Sequence, residues 1–158
     1  MYSYKNQIIV SITRGVVSFE LETGKLLWHV KFEDFNPNEL HLSGNKAYLA
    51  KGIFYAAIDL DKGEKILETN LGENINVDGT IVQRVNARPD IALYNNKIWH
   101  LDRQDNKYFL FSHDPGTGKI INKQYLQEIN NPCYTPRFND NHMYILDSEN
   151  TLHIYQEE

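Results

Sequence analysis

Ser18-Phe19-Glu20-Leu21-Glu22-Thr23-Gly24-Lys25-Leu26-Leu27-Trp28 is the stretch that decides the fold, because its pattern returns twice. The second copy runs Ala57-x-Asp59-x-x-Lys62-Gly63-Glu64-x-x-Leu67, and the third runs Ser112-x-Asp114-x-x-Thr117-Gly118-Lys119-x-x-Asn122. Each position has a physical reading. The glycine supplies the positive φ of a tight hairpin, and the acid four residues before it accepts hydrogen bonds from turn amides. The small residue lets a neighbouring sheet approach, and the large apolar residue packs between sheets. The pattern is a hairpin punctuated by glycine.

A second motif precedes each of these. Asn, one variable residue and then alternating apolar residues occur at Asn6–Val10, Asn45–Leu49, Asn96–Leu101 and Asn141–Leu146, spaced 39, 51 and 45 residues apart. Every copy is followed by another β-type run: Val16–Leu21, Phe54–Leu60, Tyr108–His113 and Thr151–Tyr155. Repeats of this length carry one four-stranded blade each, and no window of 11 to 18 residues holds a helical apolar stripe.

The three glycine hairpins resemble the repeat of the quinoprotein-type (PQQ-like) β-propeller, small-x-Asp-x-x-Thr-Gly-Lys-x-x-Trp. The first copy is nearly complete, the second lacks Thr and Trp, and the third lacks Trp. The resemblance implies an all-β, propeller-like array of about four antiparallel four-stranded blades in a single domain over 1–158. The blades lie at about 2–32, 39–70, 90–125 and 134–156, with an insertion before the third and no outer strand on the fourth. Relatives have six to eight blades, so a small closed ring, an open arc and a homodimer joined through the open blade edge all stay open.

Composition narrows the function. The chain has 158 residues, 41% hydrophobic and 23% charged, which is ordinary globular usage. Sixteen Lys and Arg against twenty-one Asp and Glu leave −5, which disfavours a direct nucleic-acid ligand held by phosphate contacts. The single cysteine, Cys133, excludes an internal disulfide, and no stretch is apolar enough to be a leader or a membrane span; a cytoplasmic, bacterial-type location with no membrane partner is expected.

Blade topology sorts the loops onto two rims. The blade-to-blade connections and the turns between second and third strands hold Glu33, Asp34, Glu73, Asp78, Asp105, Glu128, Asp147 and Glu149 against Arg14, Lys51 and Arg103. An acidic rim of this kind steers a basic protein partner, with Phe35, Tyr125 and Tyr134 as aromatic anchors. Glu33, Asp34, Phe35, Glu73, Asp78, Asp105, Glu128, Asp147 and Glu149 are therefore the expected partner-binding residues.

Catalytic signatures are weak. The six histidines form no H-x-x-x-H pair, Asp59–Glu64 coincides with a hairpin turn and lacks the ligand spacing of a calcium loop, and Cys133 has no placed partner. No cofactor, metal or catalytic residue is expected: quinone-binding relatives resemble longer chains with an adjacent cysteine pair and a calcium-binding acid. Trp28 and Trp99 read as packing residues between blades. The expected function is a non-enzymatic binding module, foremost an immunity protein that blocks the active site of a basic nuclease-type toxin. The alternatives are an assembly scaffold, similar to the propeller that supports outer-membrane protein insertion, and a small enzyme.

Overall fold

The computed structural model describes residues 1–33, 37, 39–51, 54–71, 74–77, 80–83, 91–131 and 133–156. Every regular element among them is a strand. Blade one is β1 (Tyr2–Tyr4), β2 (Gln7–Ile12), β3 (Gly15–Glu20) and β4 (Leu26–Lys31), and blade two is β5 (Glu39–Ser43), β6 (Lys46–Lys51), β7 (Phe54–Asp59) and β8 (Glu64–Asn70). The insertion forms a separate hairpin, β9 (Asn74–Val77) with β10 (Thr80–Gln83). Blade three is β11 (Ala92–Tyr94), β12 (Lys97–Gln104), β13 (Lys107–His113) and β14 (Ile120–Tyr125). Blade four is β15 (Arg137–Asn139), β16 (His142–Leu146) and β17 (Leu152–Gln156). Each blade is an antiparallel meander in sequence order, four-stranded in the first three and three-stranded in the last.

The repeated Asn motif marks the corner between first and second strands. Two residues link each pair, Lys5-Asn6, Gly44-Asn45, Asn95-Asn96 and Asp140-Asn141, and the first of each pair lies in the left-handed region. Such turns match the right-handed twist of the strands they join. The Asn6 and Asn45 carbonyls then accept the Leu21 and Leu60 amides at 2.9 Å, which ties this corner to the third strand.

The glycine motif builds the corner between third and fourth strands. Gly24, Gly63 and Gly118 have φ of 68, 67 and 70°, and their amides bond the carbonyls of Glu20, Asp59 and Asp114 at 2.8–2.9 Å. The acid's side chain closes the same turn: Asp59 Oδ1 accepts the Asp61 and Lys62 amides at 3.0 Å, and Asp114 Oδ1 accepts the Gly116 amide at 3.1 Å and the Thr117 hydroxyl at 2.7 Å. In all three blades the register slips directly after the small residue, at Ser18/Phe19, Ala57/Ile58 and Ser112/His113. A bulge at that point bends the strand into its turn. Ser18, Ala57 and Ser112 are all buried.

The chain groups into two compact units, Met1–Gly72 and Glu73–Glu158. In the first, Ile9, Val16 and Val30 of blade one form a core with Leu40, Leu49, Ala56 and Ile58 of blade two. Trp28 packs beside that core, and its indole N–H donates to Gln7 Oε1 at 3.2 Å. The ring lies against the turn of the next blade: a Cβ on Gly63 would stand 2.2 Å from Trp28 Cγ. In the second unit, Tyr108 and Leu110 of blade three pack with Met143 and Ile145 of blade four, alongside the connecting Leu126 and Ile129.

Gly24→Ala meets open space and is expected to cost about 1–2 kcal/mol, the left-handed penalty alone. Gly63→Ala carries the same penalty plus the collision with Trp28, about 1–3 kcal/mol more. In a Trp28→Ala background the Gly63→Ala cost falls to the Gly24→Ala level. Denaturant unfolding of the four variants checks the cycle.

Candidate interaction surface

The expected partner-binding residues divide on inspection. Asp34, Phe35, Glu73 and Asp78 lie outside the described residues. Glu33 is exposed just beyond β4, after the buried Phe32 whose amide bonds the Arg14 carbonyl at 2.9 Å. Asp105 is exposed in the β12–β13 turn with a φ of 48°. Glu128 is exposed between the buried anchors Leu126 and Ile129, and Glu149 is exposed in the β16–β17 turn.

Asp147 is a correction to the acidic-rim set. Only 3% of it is exposed, because the side chain folds back into its own turn. Oδ1 accepts the amides of Glu149 at 2.9 Å and Thr151 at 2.8 Å, and Oδ2 lies 3.1 Å from His153 Nε2. The Thr151 amide foremost, with His153 and Glu149 adding, holds the carboxyl below the usual carboxylate range despite burial. A loop acid of this kind caps a turn and directs its charge into the protein, away from solvent.

Within the second unit the connection after β14 runs along one end of the sheets. Leu126 bonds Tyr108 and Tyr134 bonds Leu146, both at 2.9 Å, and Cys133 bridges Asp147. This end therefore gathers Asp105, Glu128, Glu149 and Tyr134, the last 60% exposed. Cations share it: Arg103 lies over the Tyr108 ring at 5.6 Å and Lys107 over Tyr125 at 5.5 Å. The surface is a mixed-charge rim around an exposed tyrosine.

Two groupings escape the spacing of the sequence. The β12–β13 register sets Phe111 opposite His100, so His113 falls diagonally beside His100 on the same face. His113 Nε2 lies 3.1 Å from His100 Nδ1 and its Nδ1 lies 3.0 Å from the Gly118 carbonyl, while Phe111 stacks on His100 at 5.0 Å. Burial first and His113 second push His100 down to about 3; burial also lowers His113, partly opposed by the Gly118 carbonyl. The pair is neutral and structural near pH 7. Among the described residues no group of three His, Cys, Asp or Glu is arranged to hold a metal.

The second grouping is the seam between blades three and four. Tyr94 stacks on Phe138 at 4.6 Å, and Trp99 tilts onto the same ring at 5.3 Å while donating its indole N–H to the Tyr94 carbonyl. A cleft of about 180 Å³ beside them is lined also by Leu110, Met143 and Tyr155. Trp99 is a packing residue between blades, as Trp28 is. Cys133 donates to the Asn131 carbonyl at 3.2 Å, and burial, with Asp147 adding, pushes its thiol up to about 11. A thiol so held stays protonated and unreactive at neutral pH.

No protein-family model and no curated protein matches the sequence. Solved structures do match. The computationally designed Ika4 protein aligns with a TM-score of 0.66 at 14% identity, over 99% of this chain and 88% of that one. Kluyvelomyces marxianus Hsv2 aligns at 0.60 and 10% identity, over 99% of this chain and 46% of its own. BamB from Moraxella catarrhalis aligns at 0.58 and 10% identity, over 96% and 44%. The chain has the β-propeller fold. It spans less than half the length of these two natural propellers, and its likeness to the quinoprotein-type repeat is carried by the turn motif alone.

The histidine pair gives this propeller a pH signature. Unfolded histidines take up protons below about 6.5 while the folded pair resists, so the unfolded state binds more protons and stability falls with pH through that window. For His100, held down to about 3, the expected loss between pH 6.5 and 4 approaches ~1.4 kcal/mol per pH unit, and His113 adds to it in the same direction. Stability is retained above pH 6.5. His100→Phe should flatten the slope over that interval, measured by denaturant unfolding at stepped pH. An unchanged slope contradicts the assignment.

Proposed function

We propose that this chain is a non-enzymatic protein-interaction module that engages a partner polypeptide through the loop rim of its second unit. The observation that carries the reading is Tyr134, a largely exposed aromatic in a connection otherwise anchored by buried Leu126 and Ile129, with the exposed carboxylates of Glu128 and Glu149 on the same rim. An aromatic anchor with charged neighbours is the composition of a recognition surface, in which the aromatic supplies affinity and the charges supply steering. The propeller fold supports the reading by analogy, since its strands hold connecting loops rigidly at the ends of the blades.

The nuclease-toxin inhibitor is a narrower form of the same proposal. It adds the requirement that the partner present a cationic cleft, and it has the chain's net charge of −5 behind it. The scaffold form needs no such cleft and is the broader reading that we adopt.

Immobilised protein should retain a partner from the source lysate at low salt. Tyr134→Ala should lose it, and the double reversal Glu128→Lys with Glu149→Lys should weaken capture by roughly tenfold, an effect that salt erases. Lys119→Glu, at the opposite ends of the strands, should leave capture intact. Capture that ignores both rim changes, or retention of no partner at all, rejects the rim as the functional surface.

A further inference from the structure

Among the described residues no strand pairs with the outer side of β17 as β4, β8 and β14 pair with the third strands of the other blades, so that side of β17 is open there. The direction of its main-chain groups follows from its neighbours. Tyr134 takes the Leu146 carbonyl on the inner side of β16, whereas the Asp147 amide bonds the Thr151 carbonyl on the side of β17. Antiparallel alternation then pairs Ile145 with His153 and Met143 with Tyr155 through hydrogen bonds. Leu152, Ile154 and Gln156 must direct their N–H and C=O groups away from β16, as Glu20 of β3 does when its amide bonds the Lys25 carbonyl at 2.8 Å.

The sheet face beside this edge is also apolar. Leu152 is 53% and Ile154 58% exposed, and Leu146, opposite Leu152, adds to the same face. The outer strands elsewhere carry formal charge: Lys31 in β4, Glu64, Lys65 and Glu68 in β8, Lys123 in β14. Charges on an edge deter strand addition. Leu152–Gln156 contains none.

We propose that β17 pairs antiparallel with β17 of a second copy of this chain, about a two-fold axis at Ile154, joining two fourth blades into one continuous sheet. In that register Ile154 faces Ile154 of the partner subunit and Leu152 faces Gln156 of the partner subunit. The outward N–H and C=O groups of each facing pair bond each other, and Ile154 forms a cross-strand pair of β-branched side chains. The strand is its own complement. With no formal charge it opposes no like charge on pairing, and it offers nothing to select a charged strand from another protein. The contact is short, so the dimer is concentration-dependent. It uses the edge of blade four and is independent of the rim carboxylates.

The full chain is examined by sedimentation across the micromolar range. The expected mass rises from 18.5 kDa to about 37 kDa, twice the chain. Ile154→Pro removes an outward N–H while the bonds to β16 remain, so it should raise the dimer dissociation constant at least tenfold with the β-sheet spectrum intact. Ile154→Lys should do the same by placing a charge on the edge, and it decides alone where the proline variant loses its spectrum. Ile66→Lys, on the exposed surface of β8, should leave the dimer intact. A chain monomeric throughout, an edge covered only by a strand of another protein, a dimer that survives Ile154→Lys, or one lost equally with Ile66→Lys overturns the proposal.

Discussion

The structure depends on satisfying main-chain polar groups at the corners of stacked sheets. Within a blade the interior amides and carbonyls are paired along the ladder, and the difficulty falls where the chain reverses. Here the inner corner is a two-residue turn with its first residue in the left-handed region, and the outer corner is a glycine turn closed by an acidic side chain. The two corners also bond each other through the Leu21 amide and the Asn6 carbonyl, and through Leu60 and Asn45. Gly63 shows why the outer corner tolerates so little: it is both left-handed and in contact with Trp28 of the preceding blade. Backbone conformation and packing between blades meet at one atom position.

That concentration of constraint explains what the sequence discloses. Corners are local, so their residues appear at fixed offsets, and the Asn and glycine motifs fall at the strand ends within β1–β4 and β5–β8. The same motifs fall at the strand ends within β11–β14, as the Asn motif does within β15–β17, and β9 and β10 form a hairpin between the second and third blades. The His100–His113 contact has no such offset. It depends on the β12–β13 register, which is set by the length of the intervening turn and becomes visible only once the strands are paired. Asp147 fails for a related reason: a loop carboxylate can face solvent or cap its own turn, and the choice rests on whether Glu149 and Thr151 bring their amides round to it.

The buried polar groups are placed where they reinforce the corners. His113 touches the Gly118 carbonyl, part of the third glycine turn, and His100 buttresses His113 from the neighbouring strand. Asp147 holds the β16–β17 turn and is itself met by His153. Ser18 donates to Gln7 Oε1, which also accepts the Trp28 indole N–H, so one amide side chain serves three strands of blade one. These polar contacts lie inside the blades. The groups left for outside contact are consequently those of the connecting segments, Glu128, Glu149 and Tyr134 among them.

Blade four clarifies which part of a blade is indispensable. Among the described residues no outer strand pairs with β17, so the stability of this blade is drawn from elsewhere. It comes from one face: Met143 and Ile145 are buried against Tyr108 and Leu110, and Phe138 is held by Tyr94 and Trp99. Burying an aliphatic side chain contributes about 1.5–3 kcal/mol, so this seam retains three strands where an isolated hairpin would be marginal. The outer strands of the other blades are mostly exposed along their length, as Ile120–Tyr125 is throughout. A fourth strand therefore adds little to the core and much to the edge: it satisfies the main chain of the third strand and carries the charges that keep other strands away. Where it is missing, the fold is kept and the protection is lost.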